Sequence, residues 1–589
     1  MRRMLEKGGS KALRLPRGFH LERVQWLYDG LPTAATAEAA TTSNKYLLYW
    51  MQTSVRTKYN YALEYAIAAA NAMAVPLRVV YFLSDRSVVP GEGKDDPNSF
   101  GFATERHAKF GLEGLAAAHA RLFKRGLSFH VFHHSHAQAD GPSRSRTEML
   151  AACAERAALV VTDRPYLRPW RKDLDQCAQK AEEEQWPCGI VQVESDVVVP
   201  CEAASPKEEY AARTIRPKIQ AQLPKYLVEL EHLEVSDAAK SADKASATFV
   251  PTNLVQLHVV QVQKVLDLLD VDRSVPVVSS FVGGEDQGVS LAKTFLENKL
   301  ARYAEDRNEP AGDGGSNLSL YLRYGHISPV RIALAANKVK TTPKVKAGRE
   351  SFLEEMIVRR ELSVNMAVYN SHYDTILCLP EYATITLAQH AKDKREHLYT
   401  REQLENAETY DVYWNAAQME VVHSGKMHGY MRMYWGKKIL EWTKSPEEAY
   451  EIALHLNNKY ALDAPDPNSY TGIAWTFGYA SLDSVCPRRT WSLAHFRCCV
   501  DCSKHDQGWK ERPIFGKVRY MNEAGLKRKF NMDGYLRKVR KLQQGASSTT
   551  LSAINPANEA TNEKTTRTHR APKRGSTTMD AFVIKKTKK

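Results

Sequence analysis

Trp414, Trp435 and Trp442 fall in one polar, Met-rich neighbourhood of the chain. Trp435 and Trp442 are seven residues apart, which puts them on one helix face, two turns apart. Indoles at that spacing pack cores. Being oxidisable, they can also pass electrons to a nearby redox centre, and spacing alone leaves both readings open. Residues 312–319 read GDGGSNLS. Such a glycine-rich stretch either turns the chain or offers N–H groups and hydroxyls to phosphate. Arg359, Arg360 and Arg432 put guanidinium groups into helix-forming sequence, where a solvated face or an anionic ligand would each account for them. Residues 463–468, DAPDPN, form an acidic turn after a helical stretch. Residues 510–529 interleave Lys and Arg with Phe515 and Tyr520, a pattern that suits a nucleic-acid backbone with bases nearby.

Those residues need a scaffold, and the apolar patterning describes one. Short β-branched or aromatic runs at 45–51, 77–83, 127–132, 158–162 and 189–193 read as strands. Helical stretches such as the Ala-rich 59–73 separate them. That alternation predicts a doubly wound, Rossmann-like α/β domain with a parallel sheet over 45–215. Residues 216–253 read as a connector. Beyond 254 strand signals almost vanish, and 288–303, 329–338, 351–369, 401–424, 431–442 and 446–460 read as helices, so 254–540 is expected to be all-α. Residues 1–44 read as a poorly ordered leader, with an organelle transit peptide left open. No internal repeat is evident.

Composition narrows the class. The chain has 589 residues, 43% of them hydrophobic, which excludes a wholly disordered protein. No run approaches the roughly 18 apolar residues of a membrane helix, so no membrane association is expected. Nine scattered Cys do not make a disulfide scaffold and suit a reducing compartment. The net charge is +14, and residues 541–589 carry +7 of it. That segment is polar and reads as a disordered basic tail. The remainder is only mildly basic, so any DNA site must be a local patch.

Several long segments stand in colinear order between Lys45 and Val539: YWMQTSVRTKYNYAL from Tyr49, VVTDRPYLRPWRK from Val160, GGEDQGVSLAKTFL from Gly283, SNLSLYLRYGHISP from Ser316, SFLEEMIVRREL from Ser351, WNAAQMEVVHSGKMHGYMRMYWGKKILEW from Trp414 and DPNSYTGIAW from Asp466. Together they resemble the class II cyclobutane-pyrimidine-dimer DNA photolyases. The resemblance implies an all-helical domain holding FAD, reduced to FADH⁻ for repair, that splits dimers in DNA under blue light. It implies that Glu355 hydrogen-bonds the lesion's carbonyl edge, that Met433 lies under the lesion, and that Asn457 sits beside flavin N5. Trp435, Trp414 and Trp442, in that order from the flavin, would be the photoreduction chain. Tyr303, Ser316, Asn317, Leu318 and Ser319 would contact the flavin's diphosphate and ribityl chain. Arg360 and Arg432 would face the cofactor, Arg432 paired to Asp463, with Asp466 in the same acidic loop. Trp475, Lys517 and Arg519 would meet the lesion pocket and DNA, with Arg307 and Asn308 also on the lesion side.

The chain departs from the family pattern in places. Residues 479–503 are foreign to it and read as an insertion, real or from the gene model. Cys499 and Cys502 form one CxxC pair there, short of the two pairs a structural zinc site shows, so no metal is expected. Gln507 stands where relatives often carry Arg, and Ala464, Pro465 and Ser469 replace Gly, Arg and Gly. Thr53, Ser54 and Tyr59 replace Arg, Asp and Asp, which leaves the identity of a second antenna chromophore, deazaflavin or other, open. Residues 576–583, STTMDAFV, resemble a sliding-clamp-binding box, and Lys585-Lys586 and Lys588-Lys589 suit nuclear import. The expectation is a monomer in the nucleus, or also an organelle, acting on dimer-containing DNA. A cryptochrome-like photoreceptor or a non-catalytic damage-binding flavoprotein are the alternatives.

Overall fold

The computed structural model describes residues 13–30, 45–84, 103–133, 145–241, 251, 254–479 and 511–554, with side chains to residue 545. All but the first residue of the expected insertion at 479–503, its cysteines, Gln507, the clamp-like box and the terminal lysines lie outside the described residues.

The first half is built on a seven-stranded sheet of order β1-β6-β5-β2-β3-β4-β7. The strands are β1 Val24–Tyr28, β2 Tyr46–Trp50, β3 Leu77–Leu83, β4 Ser128–His133, β5 Ala157–Asp163, β6 Gly189–Val193 and β7 Val255–Leu257. The five expected strands form the parallel centre, β6-β5-β2-β3-β4. Their side chains alternate between two cores. Leu47, Tyr49, Val79 and Val161 pack with α1 (Tyr61–Met73) and α2 (Glu105–Lys124). Leu48, Trp50, Val80 and Val160 pack with α3 (Arg146–Ala154) and α4 (Arg168–Glu183). Both faces are covered, which is why these strands read as continuous apolar runs.

Three boundaries differ from the sequence reading. β1 pairs antiparallel with β6, so residues 24–28 belong to the sheet and not to a leader. Arg23 anchors them, donating to the carbonyls of Glu194, Val197 and Val198. β7, in the stretch expected to be purely helical, pairs antiparallel with β4. The expected connector begins within α5 (Ala212–Tyr226) and continues along the α/β half, where Leu77 donates its N–H to the Ala239 carbonyl. Short, partly polar segments at a sheet edge carry too little apolar signal to be read alone.

The second half is helical. The elements that matter for the site are α6 (Glu285–Asn298), α7 (Pro343–Leu353), α8 (Arg360–Tyr369), α9 (Val412–Ser424), α10 (Gly429–Trp442), α11 (Pro446–Tyr460), α12 (Pro467–Thr476) and α13 (Met532–Ile554). The helix expected over 401–424 is broken, because the Asp411 carboxylate caps α9 by accepting from Tyr413 and Trp414 N–H. α13 runs fourteen residues into the expected disordered tail, held at its start by buried Tyr535 and Val539. Among the described residues no helix is long and apolar enough to cross a membrane.

The halves meet through buried charge. Arg56 donates to the Asp196 carboxylate (2.7 Å) and to the Gly325 carbonyl (2.9 Å). Gly325 has φ +64°, and a Cβ there would stand 1.8 Å from the Thr53 carbonyl oxygen, so this junction requires glycine. Arg106 of α2 caps the ends of α9 and α11, donating to the carbonyls of Val421, Val422 and Tyr460.

Candidate active site

Helix α10 organises the site. Trp435 and Trp442 lie on it two turns apart, and Trp414 of α9 packs between them. The Trp435 and Trp414 rings are parallel (6°) with centroids 6.2 Å apart, and Trp414 meets Trp442 edge-on at 5.6 Å. All three are at most 1% exposed. Hydrogen bonds fix the first two: Trp414 Nε1–H donates to the Trp435 carbonyl (2.9 Å), and Trp435 Nε1–H to Gln418 Oε1 (3.0 Å). Beyond Trp442 the column continues into Tyr399 (5.4 Å) and Tyr410 (5.5 Å), and Tyr410 is 52% exposed. Neither tyrosine was singled out from the sequence: Tyr399 is 15 residues from the nearest tryptophan, and Tyr410, four before Trp414, precedes the Asp411 cap that starts α9.

A polar cradle lies around Asp463. Arg432 of α10 pairs with it at 3.5 Å, and Ser319 Oγ–H donates to it at 2.8 Å. Burial pushes the Asp463 carboxyl up, but Arg432 and Lys426 outweigh that and hold it below the usual range. Lys426 Nζ donates to Asn317 Oδ1 (2.6 Å), in a loop where Asn317 takes φ +57°. Burial pushes this ammonium down to about 8. Arg432 Nε and Asp463 Oδ1 are buried without a hydrogen-bond partner. Two cations face one carboxylate beside the Ser316–Ser319 stretch, so the cradle carries surplus positive charge and unspent polar atoms. It fits a dinucleotide's diphosphate. Lys426 went unnoticed in the sequence, since a single Lys after a helix-ending Gly425 gives no sign of burial.

Asn457 of α11 is 4% exposed and donates from Nδ2 to Asn458 Oδ1. Leu318 is buried. Asp466 and Arg360 are placed differently from expectation. The Asp466 carboxylate caps α12, with Ser469 completing the reciprocal box, so local helix capping occupies it. Arg360 reaches across to the Asp196 carbonyl (2.5 Å). Both line a separate cavity of about 100 Å³ between the halves, with Gln52, Thr53, Arg146 and Arg323. That cavity sits beyond the ends of β2 and β5, where strand order reverses, the usual ligand crevice of such sheets. A π-helical turn, Glu354–Arg359, joins α7 to α8 and leads from Glu355 into Arg360.

Glu355 belongs to a more open wall. Arg307 donates to it at 2.5 Å, with the side chains 27% and 37% exposed. Tyr303 is buried, with Arg307 5.9 Å above its ring, and burial, then Glu355, pushes its hydroxyl up to about 12. Met433 of α10 and Trp475 of α12 are half-buried. Gly436 allows these helices to touch, since a Cβ there would lie 2.9 Å from Thr476. Asn308 is half-exposed, Lys517 exposed and Arg519 half-buried. The segment bearing the last two is tied to the helix Glu381–Gln389 through Lys517 N–H donating to Thr386 Oγ1 (3.0 Å).

The column, the cradle and the open wall all lie in the helical half, and the comparisons give the class of protein. Residues 47–237 match the DNA photolyase family model. Over 530 residues the chain is 40% identical to a deoxyribodipyrimidine photo-lyase of Methanothermobacter thermautotrophicus, covering 89% of this chain and 99% of that one. It is 39% identical to the enzyme of that name from Arabidopsis thaliana (84% and 89% covered) and 38% identical to that from Potorous tridactylus (84% and 81%). The chain belongs to the DNA photolyase family, and its similarity over nearly the full length is to deoxyribodipyrimidine photo-lyases, which are enzymes. Two solved structures share the fold at low identity: an archaeal photolyase from Sulfolobus tokodaii described with two FAD molecules (TM-score 0.53, 14% identical, 85% and 99% covered) and a Synechocystis cryptochrome (TM-score 0.53, 12%, 85% and 100%).

Proposed function

We propose that this protein is a class II photolyase that repairs cyclobutane pyrimidine dimers in DNA with a reduced FAD under blue light. The observation that carries the reading is the double use of α10, which contributes Trp435 and Trp442 to the buried column and Arg432 to the polar cradle around Asp463. Bound FAD supplies the photochemistry, a light-excited electron lent to the dimer and returned after the ring opens. The chain's residues do the rest. Lys426, Arg432, Asp463 and the 316–319 loop hold the cofactor's charge. Asn457 offers a buried amide beside it. Glu355 exchanges Arg307 for the imide N–H on the base edge of a flipped dimer, whose weakened stacking lowers the cost of extrusion. Met433 and Trp475 exclude water from the lesion. Lys517 and Arg519 track the backbone. The tryptophan column links this interior to Tyr410 at the surface, a path for restoring the reduced cofactor.

The cavity between the halves is the place for a second, light-harvesting chromophore, a role suggested by its position and its ring of polar and guanidinium groups. The test is repair of a dimer-containing oligonucleotide by purified, photoreduced protein under blue light, with a dark control. Light-dependent loss of dimers is expected. Bound flavin without repair would reject this reading in favour of a photoreceptor.

A further inference from the structure

The wall that carries Glu355 holds a second charged side chain that the proposed reaction leaves unused. Arg359 stands four residues on, at the end of the same π-helical turn. Its guanidinium lies over the Trp475 indole, 5.3 Å from the ring centroid, within cation–π reach. On its other flank, Nε is 3.3 Å from the Glu354 carboxylate. Glu354 is itself gripped by Arg216 of α5 through hydrogen bonds of 3.0 and 2.7 Å. The guanidinium is thus oriented by stacking on one side and by charge on the other, with the anchor reaching back to the α/β half.

The side chain is only 13% exposed, yet among the described residues its Nε meets only the Glu354 carboxylate and its terminal guanidinium nitrogens donate no hydrogen bond. An arginine this enclosed ordinarily spends its five donors on protein acceptors. Phosphate-tracking cations look different: Lys517 is exposed and carries no carboxylate partner among the described residues. Arg359 has its charge opposed by Glu354 and its plane held against an aromatic ring. Such a group suits neutral, in-plane acceptors better than a phosphate.

On the repair reading, we infer that Arg359 is a further substrate-contacting residue that reads the base edge of the flipped dimer. Its terminal guanidinium nitrogens donate to pyrimidine carbonyl oxygens, next to the edge met by Glu355, while Trp475 bears the lesion's apolar face. A dimerised pyrimidine keeps its carbonyls but loses ring aromaticity, so hydrogen bonds to that edge hold it where stacking cannot. A paired, stacked duplex does not present this edge to the wall, so the contact discriminates damaged from intact DNA.

The experiment measures dark binding by the flavin-loaded full chain to a dimer-containing oligonucleotide and to its undamaged counterpart, each across a salt series. Arg359→Ala is expected to weaken dimer binding about tenfold or more, leaving undamaged binding and both salt slopes unchanged. Arg359→Lys keeps the charge opposite Glu354 and so protects the fold, but it lacks the planar fork. It is expected to lose most of the discrimination as well. Wild-type discrimination in the Lys variant, or in an Ala variant that still retains flavin, overturns the inference and leaves Arg359 a support under Trp475. Equal weakening on both DNAs with a salt slope smaller by about one identifies a phosphate contact instead and also overturns it. No preference for the dimer in the wild type would sink the repair reading and this inference together; preference in the wild type with unaffected variants sinks this inference alone.

Discussion

The tryptophan column and the Glu355 wall are built to opposite rules. The column's three indoles are at most 1% exposed, with the planes of Trp435 and Trp414 set by hydrogen bonds to Gln418 and to the Trp435 carbonyl. The wall is a quarter to a third open and rests on the Arg307–Glu355 pair. A path for electrons needs rings at fixed separations in a dry interior, and close packing supplies that. A surface that receives a flipped base needs acceptors it can release. A partly exposed ion pair contributes only about 0–1 kcal/mol, so exchanging Arg307 for a substrate costs little. Burial thus separates the part that must stay still from the part that must change partners.

The largest expected effect breaks the column alone. Trp414→Phe removes the middle ring and its hydrogen bond to the Trp435 carbonyl. Light-driven reduction of the oxidised holoprotein should be abolished in flash photolysis, at a stability cost of about 1–3 kcal/mol. Repair by chemically pre-reduced protein should be unchanged. If pre-reduced repair fell in parallel, the column and the wall would be one device and the contrast would fail.

How much of this was readable follows the same division. The five parallel strands announced themselves because both sheet faces are buried and each strand is a dense apolar run. The seven-residue spacing of Trp435 and Trp442 placed them on one face, but nothing local showed that Trp414 comes between them. The motifs shared with photolyases marked Glu355, Met433 and Asp463. The cap that Asp466 makes on α12 and the reach of Arg360 to the Asp196 carbonyl were not legible, because neither changes the apolar pattern. Lys426 and Tyr399 escaped notice, and Arg359 was seen only as a guanidinium in a helix, since their significance lies in partners 109, 43 and 116 residues away, Asn317, Trp442 and Trp475.

A second prediction concerns the cradle between the two regions. Burial lowers Lys426 from 10.5 to about 8. Between those values the unfolded chain holds a proton that the folded apoprotein has released, so apoprotein stability should rise with pH across that window. Lys426→Met should remove the rise. A bound diphosphate favours the ammonium, so wild-type flavin affinity should fall as pH climbs through about 8. The Met variant should bind about tenfold more weakly near neutrality and show no such fall. Fluorescence titration of flavin release at several pH values measures this. A pH-independent wild type would remove Lys426 from the cradle's charge balance.

The smallest effect is expected at the wall's outer support. His390 sits between Asp393 (Nδ1, 2.6 Å) and Glu511 (Nε2, 3.2 Å), and Asp393 also accepts from the Ile514 N–H (2.9 Å). This ties the segment bearing Lys517 and Arg519 to the helical domain. The hydrogen bonds to Asp393 and then Glu511 hold the imidazolium above its usual range of 6.5. The tie is therefore complete below that value and is lost as pH rises through the folded-state value. Wild-type DNA affinity should weaken over that rise, while His390→Gln should be flat and already weak. Because Glu511 is half exposed, the change should not exceed about fivefold. Dark binding of undamaged DNA at matched ionic strength measures it, since this support holds backbone contacts and not the lesion pocket. A pH effect confined to dimer-containing DNA would place His390 with the wall itself and redraw the boundary between positioning DNA and reading the lesion.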